Sequence, residues 1–210
     1  MIAKTYALMA RSAWGNSDLQ KCLEIALAGW ELVKEEPATS EHAALVHEIG
    51  RAYFFINDME NAQAYCEQAL RMTRELKAFD VQAEVLATMG VLPTLPPKKA
   101  VAALQASIRL AEQYGLPSTA FRAYINLSSI LEDIGEVRLA RDQRIKALQF
   151  SRSVFFASDE QDVYASIIYA DIWLGEFDTA RDHLKKLRLF ERQGYEKEHG
   201  KIELQKDEKK

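Results

Sequence analysis

The chain has 210 residues, a formal net charge of −4, 48% hydrophobic and 28% charged residues, and two cysteines. So modest an acidic balance argues against direct binding of nucleic acid, which needs clustered Lys and Arg to neutralise phosphates. No apolar run approaches the ~18 residues of a membrane span and the first 30 residues alternate charged and apolar groups, so neither a membrane segment nor a leader is expected and the expected compartment is the cytoplasm.

In chain order, a first helix is expected over Ile2–Trp14, with Tyr6, Met9 and Ala10 as its packing face. Ile2, Leu8 and Met9 make it apolar for an outer surface, which predicts self-association through this helix. Ser17-x-x-Gln20 has the pattern of a capping box and opens a second helix running to about Glu35; Pro37 closes it, and Thr39 or Ser40 caps the third. Val46, Ile49, Gly50 and Tyr53 then fall at i, i+3, i+4 and i+7, one face of a helix. After an interruption at Asn57-Asp58, Ala62, Cys66, Ala69 and Leu70 repeat such a face. Small residues at Gly50, Ala62 and Ala69 allow two helices to approach closely, with Tyr53 filling the space between them. Asp80 is the expected cap of the next helix, which ends near Leu92, because Pro93, Pro96 and Pro97 remove backbone donors from the following turn. Lys98–Tyr114 is the partner helix, Gly115-Leu116-Pro117-Ser118 is a stop followed by a start, and Ser158-x-x-Gln161 opens the last pair. After Gln193 ten of the last sixteen residues are charged, which predicts a frayed or disordered tail over 194–210.

The Gly50 position has counterparts at Ala10, Gly90, Ser128 and Ile168, and the Ala62 position at Cys22, Ala100, Ala140 and Ala180, a period of about 40 residues. The large-aliphatic-Gly-x-x-Tyr helix, its turn and the Ala-rich helix after it resemble the tetratricopeptide repeat, with Cys66 in place of the usual aromatic. The resemblance implies an all-α, right-handed α-solenoid of about five antiparallel helix pairs, over 2–37, 40–77, 80–115, 118–153 and 158–193. The stretch GLPSTAFRAYINLSS, with the helices after it, is similar to the long-helix sensor arrays of bacterial signalling ATPases, transcriptional regulators and cyclases.

No phosphate loop, GxSxG or HExxH occurs. His42 and His47 are five apart and so point about 140° apart on a helix. His183 and His199 are isolated. Neither a catalytic residue nor a metal or other cofactor is expected. Glu60, Glu67, Glu132, Asp142 and Glu176 read as solvated carboxylates, and Cys22 and Cys66, at equivalent positions of neighbouring repeats, as buried reduced thiols.

What remains is the groove that the first helix of each repeat lines in this family. Carrying its partner-contacting positions onto this chain gives a stripe that includes Arg11, Trp14, His47, Arg51, Phe54, Phe55, Arg122, Tyr169 and Trp173, and Asn126 matches an Asn of the family's chaperone-binding subclass. Positive charge and aromatic area coincide at Arg11, Arg51, Trp14, Phe54 and Phe55, which predicts a protein or peptide partner with acidic and apolar residues. Arg51 is expected to be a free charge whose reversal spares folding. The implied function is a non-catalytic regulatory or sensor module of a bacterial signalling protein. The alternatives are a free-standing adaptor or assembly factor joining two proteins, and a peptide-pheromone receptor.

Overall fold

The structure, a computed structural model, describes residues 1–151 and 157–189. The tail expected over 194–210, with His199, lies outside the described residues, as does the Ser158 side chain. All regular structure among the described residues is helical: α1 (Ile2–Gly15), α2 (Leu19–Val33), α3 (Ser40–Phe55), α4 (Met59–Leu76), α5 (Phe79–Met89), α6 (Pro97–Gln113), α7 (Pro117–Asp133), α8 (Val137–Ser151) and α9 (Ala157–Trp173). Residues 177–189 form a further helix, α10.

The turns explain where the helices stop. Inside four of the pairs the chain passes through one left-handed residue, Ser17, Asn57, Gly135 or Gly175. The next residue returns its backbone N–H to a carbonyl five positions back: Asp18 to Ala13 at 3.0 Å, Asp58 to Tyr53 at 2.9 Å, Glu136 to Leu131 and Glu176 to Asp171 at 2.8 Å. This Schellman-type bond satisfies a carbonyl that the helix end leaves orphaned. Ser17 is therefore the turn residue and not the expected cap; Asp18 caps α2 by accepting from the Lys21 amide at 3.2 Å. Thr39 does cap α3, in a capping box whose returning side chain is His42 Nδ1, 3.0 Å from the Thr39 amide. Asp80 caps nothing: α5 starts at Phe79 behind Ala78, and Asp80 lies in its first turn. The third pair lacks the left-handed turn, and its Pro-rich connection ends with Pro96 before α6 and Pro97 in its first turn.

Each first helix packs on its own second helix, in α1·α2, α3·α4, α5·α6 and α7·α8. The first helices also touch one another (α1·α3, α3·α5, α5·α7), whereas among α2, α4, α6 and α8 no second helix touches the next. The first helices are thus the inner, concave layer of a curved stack. At its end α9 contacts α8 but not α7.

Close approach within a pair is set by the small residues. A Cβ on Gly50 would lie 2.8 Å from Cys66 Sγ and 3.1 Å from the Cys66 backbone nitrogen. One on Gly90 would lie 2.4 Å from Leu104 Cγ. Tyr53 stacks on Tyr65 with ring centroids 5.5 Å apart. In α1 the buried face is Ala3, Ala7, Ala10 and Ala13; Met9, expected inside, is 48% exposed alongside Ile2 and Leu8. An Ala face lets α1 lie close to its neighbours and leaves no room there for Met.

Candidate functional site

On the inner layer, α1, α3, α5 and α7 enclose a pocket of about 270 Å³, lined by Trp14, Arg51, Phe54, Phe55, Ala87, Thr88, Val91, Arg122 and Asn126. Helical periodicity brings these residues to one place: Phe54 and Phe55 follow Arg51 by one turn, Val91 follows Ala87 by four residues, and Asn126 follows Arg122 by four. The aromatic wall is continuous. Trp14 and Phe55 have centroids 5.5 Å apart, Phe54 and Phe55 5.2 Å, and the Arg51 guanidinium carbon sits 5.1 Å from the centroid of the Trp14 ring.

Beneath the wall runs an ion network that the sequence reading missed. Glu48 is buried and accepts from Arg11 Nη2 at 2.6 Å and from Arg51 Nη1 at 2.9 Å. Arg11 also donates to Glu84 at 3.0 Å, so α1, α3 and α5 are tied together. Burial pulls the Arg11 pKa down, but Glu48 and Glu84 outweigh it and the net shift is upward. Arg51 is therefore not the free charge expected on the groove. Its guanidinium is buried and engaged, and it presents its face to Trp14. Glu48 lies three residues before Arg51, the helical ion-pair spacing, and that was the signal available in the sequence.

His47 is a correction as well. It is fully buried, with Nε2 2.8 Å from Thr88 Oγ1, and no partner can touch it. Burial, followed by the charges of Arg51, Arg122 and Arg11, holds its pKa well below the usual imidazole value, so it is neutral. His47, Glu48 and Glu84 offer ligand atoms within 4.8 Å of one another. With Arg11 bonded to both carboxylates and Arg51 to Glu48, guanidinium already supplies the positive charge that a metal ion would bring.

Of the remaining expected residues, Trp14, Phe54, Phe55 and Asn126 line the pocket and Arg11 lies in the network below it. Tyr169 and Trp173 do not reach the pocket. They are 60% and 69% exposed on α9, joined to each other by the Trp173 indole N–H donating to Tyr169 Oη at 3.2 Å. A second buried carboxylate, Asp171, accepts from Arg141 Nη1 at 2.9 Å and pairs with His183 Nδ1 at 2.7 Å. His183 is thus not isolated. Glu176, expected to be solvated, pairs with Arg138 and Arg141, and Glu132 pairs with Arg144. Cys22 and Cys66 are buried free thiols, and burial pushes the Cys66 pKa up to about 12. No helix among the described residues is long and apolar enough to cross a membrane.

Comparison with known proteins agrees with this geometry. Residues 43–76, which hold most of α3 and all of α4, match the tetratricopeptide repeat family. No curated protein matches the chain in sequence. Among solved structures, BtubC (BKLC) from P. vanneervenii superposes with a TM-score of 0.76 at 12% identity, over 90% of this chain and 80% of that one. A Rap protein complexed with Competence and Sporulation Factor gives 0.71 at 14% identity, over 88% of this chain and 52% of that one. A Signal Transduction ATPase with Numerous Domains from Pyrococcus horikoshii, which carries a tetratricopeptide repeat sensor, gives 0.71 at 11% identity, over 88% of this chain but 28% of its own length. Identities this low speak to the fold and not to the function. By its one matched repeat and by the architecture of its stacked helix pairs, the chain has the fold of a tetratricopeptide-repeat solenoid.

Proposed function

We propose that the chain is a non-catalytic binding scaffold whose concave face takes an extended protein or peptide segment, and that it serves as the regulatory or sensor module of a signalling protein. The observation that carries the reading is the pocket on the inner layer. There Trp14, Phe54 and Phe55 form one aromatic wall on helices that the ion network below holds in place. Rigid aromatic anchors beside a cation are the usual composition of an interface hot spot. The two buried carboxylates are engaged in ion pairs, which suits a structural role better than acid–base catalysis. A cytoplasmic setting goes with the buried free thiols. The sensor role draws support from the likeness to the repeat sensor of the Pyrococcus ATPase, and the likeness to a Rap protein that holds a bound factor favours a peptide-sized partner.

The test is site-specific photo-crosslinking. Benzoylphenylalanine is placed at Phe55 in the groove and, separately, at Arg71 on the exposed side of α4, and the chain is incubated with a library of capped peptides. Position 55 is expected to capture a restricted set of sequences that position 71 does not. Equal capture at the two positions, or none at 55, overturns the groove reading.

A further inference from the structure

We propose that Arg122 is the anion anchor of the groove, and that the pocket it lines takes an extended peptide by an acidic side chain together with a large apolar side chain two residues away. The inference rests on the groove reading above and names the chemistry of its ligand.

Arg122 differs from the other arginines around the inner layer. Arg11 and Arg51 are engaged with Glu48 and Glu84, Arg141 with Asp171 and Glu176, and Arg144 with Glu132. Arg122 makes no ion pair among the described residues, and its Nε is buried without a hydrogen-bond partner. A desolvated guanidinium lacking a partner is costly, because water has been removed and nothing has replaced it. Burial and then the neighbouring Arg51 charge lower its pKa, while Glu84 and Glu48 act on it only from beyond bonding distance. The pocket therefore holds a cation and unused donors before any ligand arrives. Asn126, one turn further along α7, adds an amide that makes no hydrogen bond among the described residues.

The opposite wall fixes the second half of the ligand. Trp14, Phe54, Phe55 and Val91 offer aromatic and aliphatic surface and no charge. A volume of about 270 Å³ falls below the ~300–1,000 Å³ of sites that enclose whole small ligands, so it suits a pair of side chains from a longer segment. In an extended peptide, residues i and i+2 point to the same face about 6.6–6.8 Å apart. An acidic-x-apolar sequence thus presents both groups to one pocket, the carboxylate to Arg122 and the apolar group to the aromatic wall. Guanidinium is suited to the carboxylate because its fork can donate two parallel bonds.

The experiment selects binders from a random peptide library, acetylated and amidated at the ends, on the full chain and on Arg122→Gln, Arg122→Lys and Phe55→Ala variants. The wild-type chain is expected to enrich an Asp or Glu two residues from a large apolar residue. Exchanging that Asp for Asn in the best peptide should weaken binding by about tenfold or more, as for loss of a charge-assisted bond. Arg122→Gln should lose the acidic preference and keep the apolar one, with Arg122→Lys between. Because the Asp→Asn exchange is made in the peptide, the result does not depend on how a variant folds. The proposal is overturned if the wild type enriches no acidic residue or if the preference survives Arg122→Gln. Binding that Phe55→Ala weakens while neither Arg122→Gln nor Asp→Asn does leaves the groove reading standing without the anchor. Binding indifferent to all of these changes removes both.

Discussion

Arg11 of α1 reaches across to α3 and donates to the buried carboxylate of Glu48 at 2.6 Å, although the two residues lie 37 apart in the chain. Glu48 also holds Arg51, and removing one member of a buried pair leaves an uncompensated charge. Glu48→Ala is expected to destabilise the chain by about 3–5 kcal/mol, while Arg11→Ala, which leaves the Glu48–Arg51 pair intact, costs clearly less. Arg51→Glu would set two carboxylates against each other in this buried site and should fail as a folded protein, contrary to the expectation from sequence. Urea titrations of the three variants check the order; equal midpoints for Glu48→Ala and wild type would remove the network from the stability argument.

At Gly50 any side chain begins inside the contact with Cys66. Part of that contact is backbone, which cannot step aside as a flexible side chain would. Gly50→Leu is expected to cost at least the ~1–3 kcal/mol of ordinary overpacking, read as a lower melting temperature in calorimetry. An unchanged melt would mean that α3 and α4 are not held as described.

The neutral, buried His47 gives the protein an acid-sensitive limb. Its pKa is depressed in the folded state relative to the ordinary imidazole value of 6.5, so below about pH 6.5 the unfolded chain takes up a proton that the folded chain refuses. Stability from this group is complete above that pH and falls as pH falls, by up to about 1.4 kcal/mol per pH unit, until the folded pKa is passed. His47→Gln should flatten that part of the stability–pH curve. A slope that is the same in both proteins between pH 6.5 and 5 would refute the assignment.

Cys22 and Cys66 should resist alkylation in the native state, since both are buried and the Cys66 thiolate is disfavoured up to a pKa of about 12. Mass spectrometry after a pulse of iodoacetamide should find both unmodified in buffer and both modified in denaturant. Rapid native labelling of Cys66 would argue that the α3–α4 contact opens readily.

The end helix α1 exposes Ile2, Leu8 and Met9 by 46%, 56% and 48%. Exposed apolar side chains at the end of a helical stack favour association. Sedimentation should show a concentration-dependent increase in mass that Leu8→Glu with Met9→Glu abolishes. A wild-type chain that stays monomeric at high concentration contradicts this.

The sequence by itself determined the helical period, the pairing of helices and the small residues that permit it. These are local or near-local quantities: Gly50, Ala62 and Cys66 lie within one pair, and the turn at Asn57-Asp58 is written in the residues that form it. It also placed Trp14, Phe54, Phe55 and Asn126 on the inner layer, because a helix of known phase fixes which residues share a face. Only the tertiary structure decided which charges on that layer are free. Whether Arg51 faces a partner or Glu48, whether His47 is exposed, and whether any carboxylate reaches Arg122 depend on how three neighbouring helices meet. Such contacts join Arg11 to Glu84 across 73 residues and His47 to Thr88 across 41. Periodicity assigns a charged residue to a face, but the pairing of charges across helices is set by distances of a few ångströms that only the packed stack defines.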